Sequence, residues 1–284
     1  MNIVYLIQCH KNFELIISLI NSLDLKNNDR VIIHVDKKNE ELKLELLDFF
    51  KKSINIYIIP DPISVNWSGL SQVIATLKML NIVNSYKKYD YCCLLSGEDI
   101  VLNSHNFKRY LAEKNKSFID FRDDYEKYKW RINKFNFFRD NKFSQRKSLR
   151  LISSLLIRIQ KLIPMVRKNI NYESIFLGSQ WFTLKQEHVD IICKYATSDF
   201  INKFKYTSCA DEHFFQIIFS KNIPSVEYDR VNLRYIKFEN NESSPRYLTK
   251  SDMQYLMSIN NKEYYIARKT TLDLFNEYNK EIKL

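Results

Sequence analysis

The stretch TSCADEHFFQIIF, residues 207–219, sets two adjacent acids, Asp211 and Glu212, against a run of Phe and Ile. A carboxylate beside aromatic walls has its pKa raised, because burial disfavours the charged form, and a raised carboxylate suits a general base. A second reading is purely local. Ser208, three residues ahead of Asp211, can cap a helix whose first turn favours negative charge. That reading accounts for Asp211 better than for Glu212, whose side chain would share a helical face with Phe215, Gln216 and Phe219. Another acid pair, Glu98 and Asp99 in SGEDI (96–100), is similar to an acidic Asp-x-Asp metal motif. One pair without further ligands makes a poor divalent site, so no metal is expected there. Asp36 in HVDKK (34–38) is, taken alone, an exposed strand end. No glycine fingerprint follows the first apolar run and no GxxxxGK[ST] occurs anywhere, so a bound phosphate must be held by side chains.

The elements that must position these residues can be read from periodicity. IVYLIQ, FELIISLINSL, RVIIHVD, EELKLELLDFF, INIYIIP, LSQVIATLKMLNIV and YDYCCLLSG follow one another in the first half. The longer runs repeat apolar residues at three and four, which predicts helices; the short β-branched runs predict buried parallel strands. A βαβαβαβ series predicts an α/β fold with a Rossmann-like, mostly parallel open sheet flanked by helices. Ligands of such sheets bind outside the carboxyl ends of the strands, here residues 8–10, 34–38, 61–67 and 96–100. The length of 284 residues fits one such domain. We expect a nucleotide-binding half over 1–120, a basic insertion over 121–175 and a catalytic part over 176–284.

The net charge of +11 is local: residues 127–170 hold thirteen Lys or Arg against the single acid Asp140, more than the whole surplus. On a helix, Ile152, Leu155, Leu156, Ile159, Leu162 and Ile163 form one stripe, with Lys147, Arg150, Ser154, Arg158 and Lys161 opposite. Pro164 should end or kink it. Two readings are open: a helix packed on the domain with a solvated basic face, or an interfacial helix on anionic lipid, each cation adding about 1 kcal/mol. The basic, aromatic character also raises a nucleic-acid-binding or adaptor protein as the alternative, although the other features point to a small-ligand site. Five cysteines, an odd number, fit reduced core thiols better than disulfides or a zinc site. The first residues lack a signal-peptide pattern and no apolar run is long enough to span a bilayer, so a cytoplasmic location is expected.

The ordered motifs YLIQCHKN, IIHVDKK, VNWSGLSQVIATLKML, LLSGEDIVL, GSQWFTL, DEHFFQ, NLRYIKF, SPRYLTKSD and ARK carry a resemblance. From residue 3 to about 270 the chain resembles the core-2/I-branching β-1,6-N-acetylglucosaminyltransferase and peptide-O-xylosyltransferase family, glycosyltransferase family 14, in its short bacterial branch. The resemblance implies a GT-A fold and an inverting transfer from a UDP-sugar, with UDP-GlcNAc first and UDP-glucose next, to a glycan hydroxyl. It further implies Glu212 as the base, Asp36 on uracil with Ile7, His10, Trp67 and Ser71 around the nucleoside, and Arg246 and Lys269 on the diphosphate. Glu98, Asp99, Trp181 and Asp211 are the implied neighbours of the donor and acceptor sugars. Two fixed cations can neutralise a departing diphosphate as a metal would, so no cofactor is implied and the UDP-sugar is a co-substrate. The basic amphipathic stretch, rather than the resemblance, raises the expectation of a lipid-linked acceptor in polysaccharide or lipopolysaccharide assembly, met at an anionic membrane face. Phe238 stands where the animal enzymes have an acceptor-contacting Trp, so the identity of the acceptor does not carry over.

Overall fold

A computed structural model describes the chain except residues 27, 87, 164–166, 168–169, 171–174, 240–241, 243, 260–262 and 283–284, with side chains of 281–282 also left aside. The expected stop at Pro164 lies outside the described residues. In chain order the strands are β1 (Ile3–Cys9), β2 (Arg30–Val35), β3 (Ile56–Ile58), β4 (Tyr91–Ser96), β5 (Asp99–Val101), β6 (Ser117–Ile119), β7 (Phe182–Lys185), β8 (Tyr228–Asp229), β9 (Arg234–Ile236) and β10 (Ile266–Arg268). They fall into two compact units, the first made of 1–60, 88–116 and 233–284, the second of 61–87 and 117–232. The units are interleaved along the chain.

In the first unit β3, β2, β1 and β4 lie side by side and all parallel. β1 and β4 are apolar almost throughout and buried, as strands covered on both faces must be. The helix Phe13–Ser22 turns Leu15, Ile16, Leu19 and Ile20 inward. Glu40–Phe49 is started by Asn39, whose side chain accepts the Leu42 N–H at 3.1 Å, satisfying a donor the helix itself leaves open. A second, small sheet forms because the chain returns late: β10 pairs antiparallel with β5 and parallel with β9. That return sets Arg268 opposite Asp99. The expected α/β class with a mostly parallel sheet is what the structure shows, and the seven runs read from periodicity all form the elements assigned to them.

In the second unit β6 pairs antiparallel with β7 and parallel with β8. The helix Leu70–Tyr86 packs on the helix Gln186–Tyr195 and on the turn Ala210–Glu212. The FFQIIF run forms the helix Phe214–Asn222 and is buried on every side. Phe214 meets Phe204 edge-on at 5.1 Å between centroids, and Phe215 meets Phe182 at 5.4 Å. Each such side chain contributes on the order of 2 kcal/mol by leaving water. The five cysteines are free; Cys9, Cys92, Cys93 and Cys209 are buried and Cys193 is half-buried.

The helix Lys147–Leu162 forms where the apolar period puts it, but the reading of a stripe packed on the domain is corrected. Leu151 (73 %), Leu155 (56 %) and Leu162 (85 %) are exposed, as are Ile152, Ile159 and Ile163, and the buried residue of the helix is Gln160. Gln160 Oε1 accepts the Phe135 N–H at 2.7 Å, its Nε2 donates to Phe135 O at 3.0 Å, and its carbonyl takes Lys134 Nζ at 2.8 Å. A polar clasp therefore faces the protein, and the apolar face points to solvent.

Candidate active site

The acidic turn belongs to the second unit. Asp211 and Glu212 lie in a single 3-10 turn, Ala210–Glu212, entered through Cys209 at φ 51°. This corrects the reading of Ser208 as a helix cap. Left-handed backbone at Cys209 redirects the chain, the helix starts only at Phe214, and Ser208 Oγ points at Cys209 Sγ, 3.9 Å away. Strained residues of this kind are held by their surroundings. Here the Cys209 N–H is held by Ser68 O at 2.8 Å and the Ser208 N–H by Arg131 O at 3.0 Å.

Glu212 is not walled by aromatics, as its place before FFQIIF suggested. Its side chain is 30 % exposed and Oε2 accepts from Arg131 Nη1 at 2.5 Å, while the Arg131 guanidinium lies over the Tyr128 ring at 4.4 Å. Asp211 is half-buried, with its Oδ1 shut off from solvent and without a hydrogen-bond partner among the described residues. Burial, with the Glu212 charge adding to it, pushes its carboxyl up to about 7. His213 follows, pushed down to about 3 by burial, with Nδ1 on Phe176 O at 2.7 Å. A third acid, Asp120, was not picked out by sequence. Burial raises its pKa, opposed by the Ser179 N–H that it accepts at 2.9 Å.

Two glycines make these approaches possible. A Cβ on Gly178 would fall 1.8 Å from Asp120 O, and the Gly178 N–H reaches Glu212 O at 2.9 Å, which ties GSQW to the acidic turn. A Cβ on Gly69 would fall 2.4 Å from Asp140 Oδ1. Asp140 fills the position read as nucleoside-binding: its carboxylate accepts from Ser71 Oγ (2.6 Å), Ser71 N (3.1 Å) and Asn66 Nδ2 (3.1 Å). Trp67 is exposed and Trp181 buried, and Gln72 Nε2 donates to Gln180 Oε1 at 2.9 Å. Thus Trp67, Ser71, Trp181, Asp211 and Glu212 are gathered in one unit.

The other sequence-predicted residues meet in the first unit, at the carboxyl ends of β1, β2 and β4. Ile7 is inside the core. His10 is exposed, with its pKa lowered by burial of the ring and then by Lys11. Asp36 is buried, accepts the Lys38 N–H at 2.9 Å and pairs with Lys38 Nζ at 3.3 Å. Asp99 faces the interior rather than a ligand: Oδ1 takes Arg268 Nη1 at 2.8 Å and Oδ2 takes the Ser96 N–H at 3.0 Å. Glu98 accepts from Tyr247 OH at 2.5 Å and Lys11 Nζ at 3.0 Å, and these contacts lower its pKa against the opposing, larger effect of burial.

Lys269 lies beside this group, its Nζ 5.8 Å from the centroid of the Tyr247 ring. It is half-buried and makes no ion pair among the described residues, and burial lowers its pKa. The Leu248 N–H on Lys269 O at 2.8 Å fastens SPRYL to ARK. Arg246 is held bidentately by Asp252 at 2.7 and 3.0 Å and gives Nη1 to Tyr247 O at 2.8 Å. Lys11 and Tyr247 were missed by sequence reasoning, although both adjoin residues that it named.

Among the described residues Glu187, His188 and Glu227 are the one group with ligand atoms close enough for a metal, within 4.8 Å of one another. His188 already uses Nδ1 on Ser117 Oγ (2.7 Å) and Nε2 on Glu227 (3.0 Å).

A family model described as Core-2/I-Branching enzyme matches residues 3–259. No protein of curated function matches the sequence. Among solved structures, the apo WbbM bifunctional glycosyltransferase is similar at 12 % identity and a TM-score of 0.42, over 97 % of this chain and 49 % of that one. This chain thus spans about half of it. Mouse xyloside xylosyltransferase 1, apo form, is similar at 10 % identity and a TM-score of 0.38, over 93 % of this chain and 97 % of that one.

Proposed function

This chain belongs to the Core-2/I-Branching enzyme family of glycosyltransferases, and from that premise we propose the reaction it performs. A sugar, GlcNAc first and glucose next, passes from a UDP-sugar to a glycan hydroxyl with inversion and without a metal. Glu212 takes the proton of the acceptor hydroxyl, whose oxygen bonds to the anomeric carbon as the bond to the diphosphate oxygen breaks and UDP leaves. Arg131 fixes the rotamer of Glu212 through their ion pair. The observation that carries the donor class is the half-buried Lys269 without a counter-ion among the described residues, close to Lys11 and Arg268. A desolvated ammonium gains most from an anion, and a diphosphate supplies one. Arg246 keeps one Nη2 hydrogen uncommitted among the described residues, and Lys11 is a third cation that can move from Glu98 to phosphate.

The test is UDP release across a panel of UDP-sugars with and without EDTA. Turnover of UDP-GlcNAc that survives chelation is expected; loss of turnover on chelation would overturn metal independence. Lys269→Ala and Arg246→Ala should each weaken UDP binding by about tenfold or more, as for a lost hydrogen bond to a charged group. Unchanged calorimetric affinity would remove these residues from the diphosphate site.

The acceptor is lipid-linked in this reading, because the helix Lys147–Leu162 exposes leucines and isoleucines flanked by Lys147, Arg150, Arg158 and Lys161 and carries no acid. No helix of the described residues is long and apolar enough to cross a membrane, so the helix would lie in the headgroup plane of the cytoplasmic face. Flotation with anionic vesicles should recover the protein. Replacing Arg150, Arg158 and Lys161 by Ser should cut the partition coefficient by about a hundredfold. Equal recovery of wild type and variant would end this part.

A further inference from the structure

Arg139 is a charged group in the second unit that the proposed reaction leaves without a task. Its Nε is buried and no described residue accepts the hydrogen. A buried donor of a charged group left unpaired is costly, and two carboxylates of this unit are already used. Asp140, the next residue, is taken by Ser71 and Asn66, and Glu212 Oε2 is taken by Arg131.

The loop bearing Arg139 is fixed against the acidic turn by a chain of close contacts. Asp140 Cα would be 2.9 Å from a Cβ on Gly69. Ser68, next to Gly69, binds the Cys209 N–H through its carbonyl, and Arg131 binds the Ser208 N–H in the same way. Burial lowers the pKa of Arg139, opposed by the Cys209 thiol, and the guanidiniums of Arg131 and Arg150 lower it further. Arg131 and Arg139 thus both lie near Cys209, and Glu212 neutralises the first of them.

We infer that Arg139, with Arg131 beside it, receives an oxyanion of the acceptor, a phosphate or a carboxylate next to the hydroxyl to be glycosylated. A guanidinium offers parallel N–H groups that match two oxygens of either group. This rests on the reading of Glu212 as the base. It narrows the acceptor to an anionic glycan, either a phosphorylated saccharide or one containing a uronic acid.

The experiment uses the full chain with saturating UDP, which fills the diphosphate ligands, and follows binding of glucose 6-phosphate, glucuronate and glucose by NMR titration. At least one anion should bind about tenfold tighter than glucose, phosphate preference indicating the phosphorylated source and carboxylate preference the uronic acid. Sulfate should compete with it. Arg139→Gln should abolish the preference without changing UDP affinity, and Arg139→Lys should restore part of it. Glucose binding as tightly as both anions, or a preference unaltered in Arg139→Gln and insensitive to sulfate in wild type, would overturn the inference. Because no transfer is needed, failure here with UDP bound is distinct from failure of the transferase reading, which would show as no UDP binding at all.

Discussion

Glu212→Gln should lower kcat by about a thousandfold, in the range that one general base supplies, while UDP affinity stays within about twofold of wild type. Gln keeps the shape of the side chain and can still accept from Arg131, so the turn at 210–212 keeps its backbone contacts to Gly178 and Cys209. What Gln cannot do is take a proton from an alcohol. The proposed nucleotide ligands Lys269, Arg246 and Lys11 are held by other partners, Tyr247, Asp252 and Glu98, so their charge balance is untouched. UDP release under saturating donor, paired with calorimetry of UDP, separates the two effects. Near-normal transfer by the variant would remove Glu212 from the role of base, leaving the half-buried Asp211 and Asp120 as the acids to test.

The second large effect concerns stability. Asp211 binds its proton more tightly folded than unfolded, since burial and then the Glu212 charge lift it from 3.8 to about 7. Below its unfolded pKa the acid is neutral in both states and no penalty arises. Between about pH 4 and 7 the folded state holds the extra proton, so stability falls as pH rises, by up to about 1.4 kcal/mol per unit. Above pH 7 the loss levels off at about 4 kcal/mol. Asp211→Asn removes this dependence. Its melting temperature should match wild type near pH 4 and exceed it by several degrees at pH 8. Parallel melting curves for both proteins across that range would show that Asp211 titrates normally. In Glu212→Gln the pH dependence should shrink, because one of the two causes of the shift is gone.

The behaviour of the 147–162 helix shows where amphipathic periodicity stops being informative. The period of Ile152, Leu155, Ile159 and Leu162 specified a helix, and a helix is present. Which way it faces depended on a polar contact, Gln160 with Phe135 and Lys134, that no hydrophobic pattern encodes. The same limit applied to Asp99. A strand-end acid looked available to a ligand, yet the late return of β10 brings Arg268 onto it from 169 residues away.

By itself the sequence determined the order of strands and helices, the buried parallel run of β1, β2 and β4, the free thiols and the family, because these are written in local periodicity and in short ordered motifs. It also marked the Asp211–Glu212 pair, since two acids ahead of FFQIIF stand out locally. Only the tertiary structure decided which acid keeps a buried, unpartnered oxygen and which is ion-paired. Arg131 reaches Glu212 across 81 residues, Asp140 reaches Ser71 across 69, and a left-handed Cys209 turns the chain between them. Burial and charge pairing depend on what the folded backbone brings within a few ångströms, and spacing along the chain does not carry that distance.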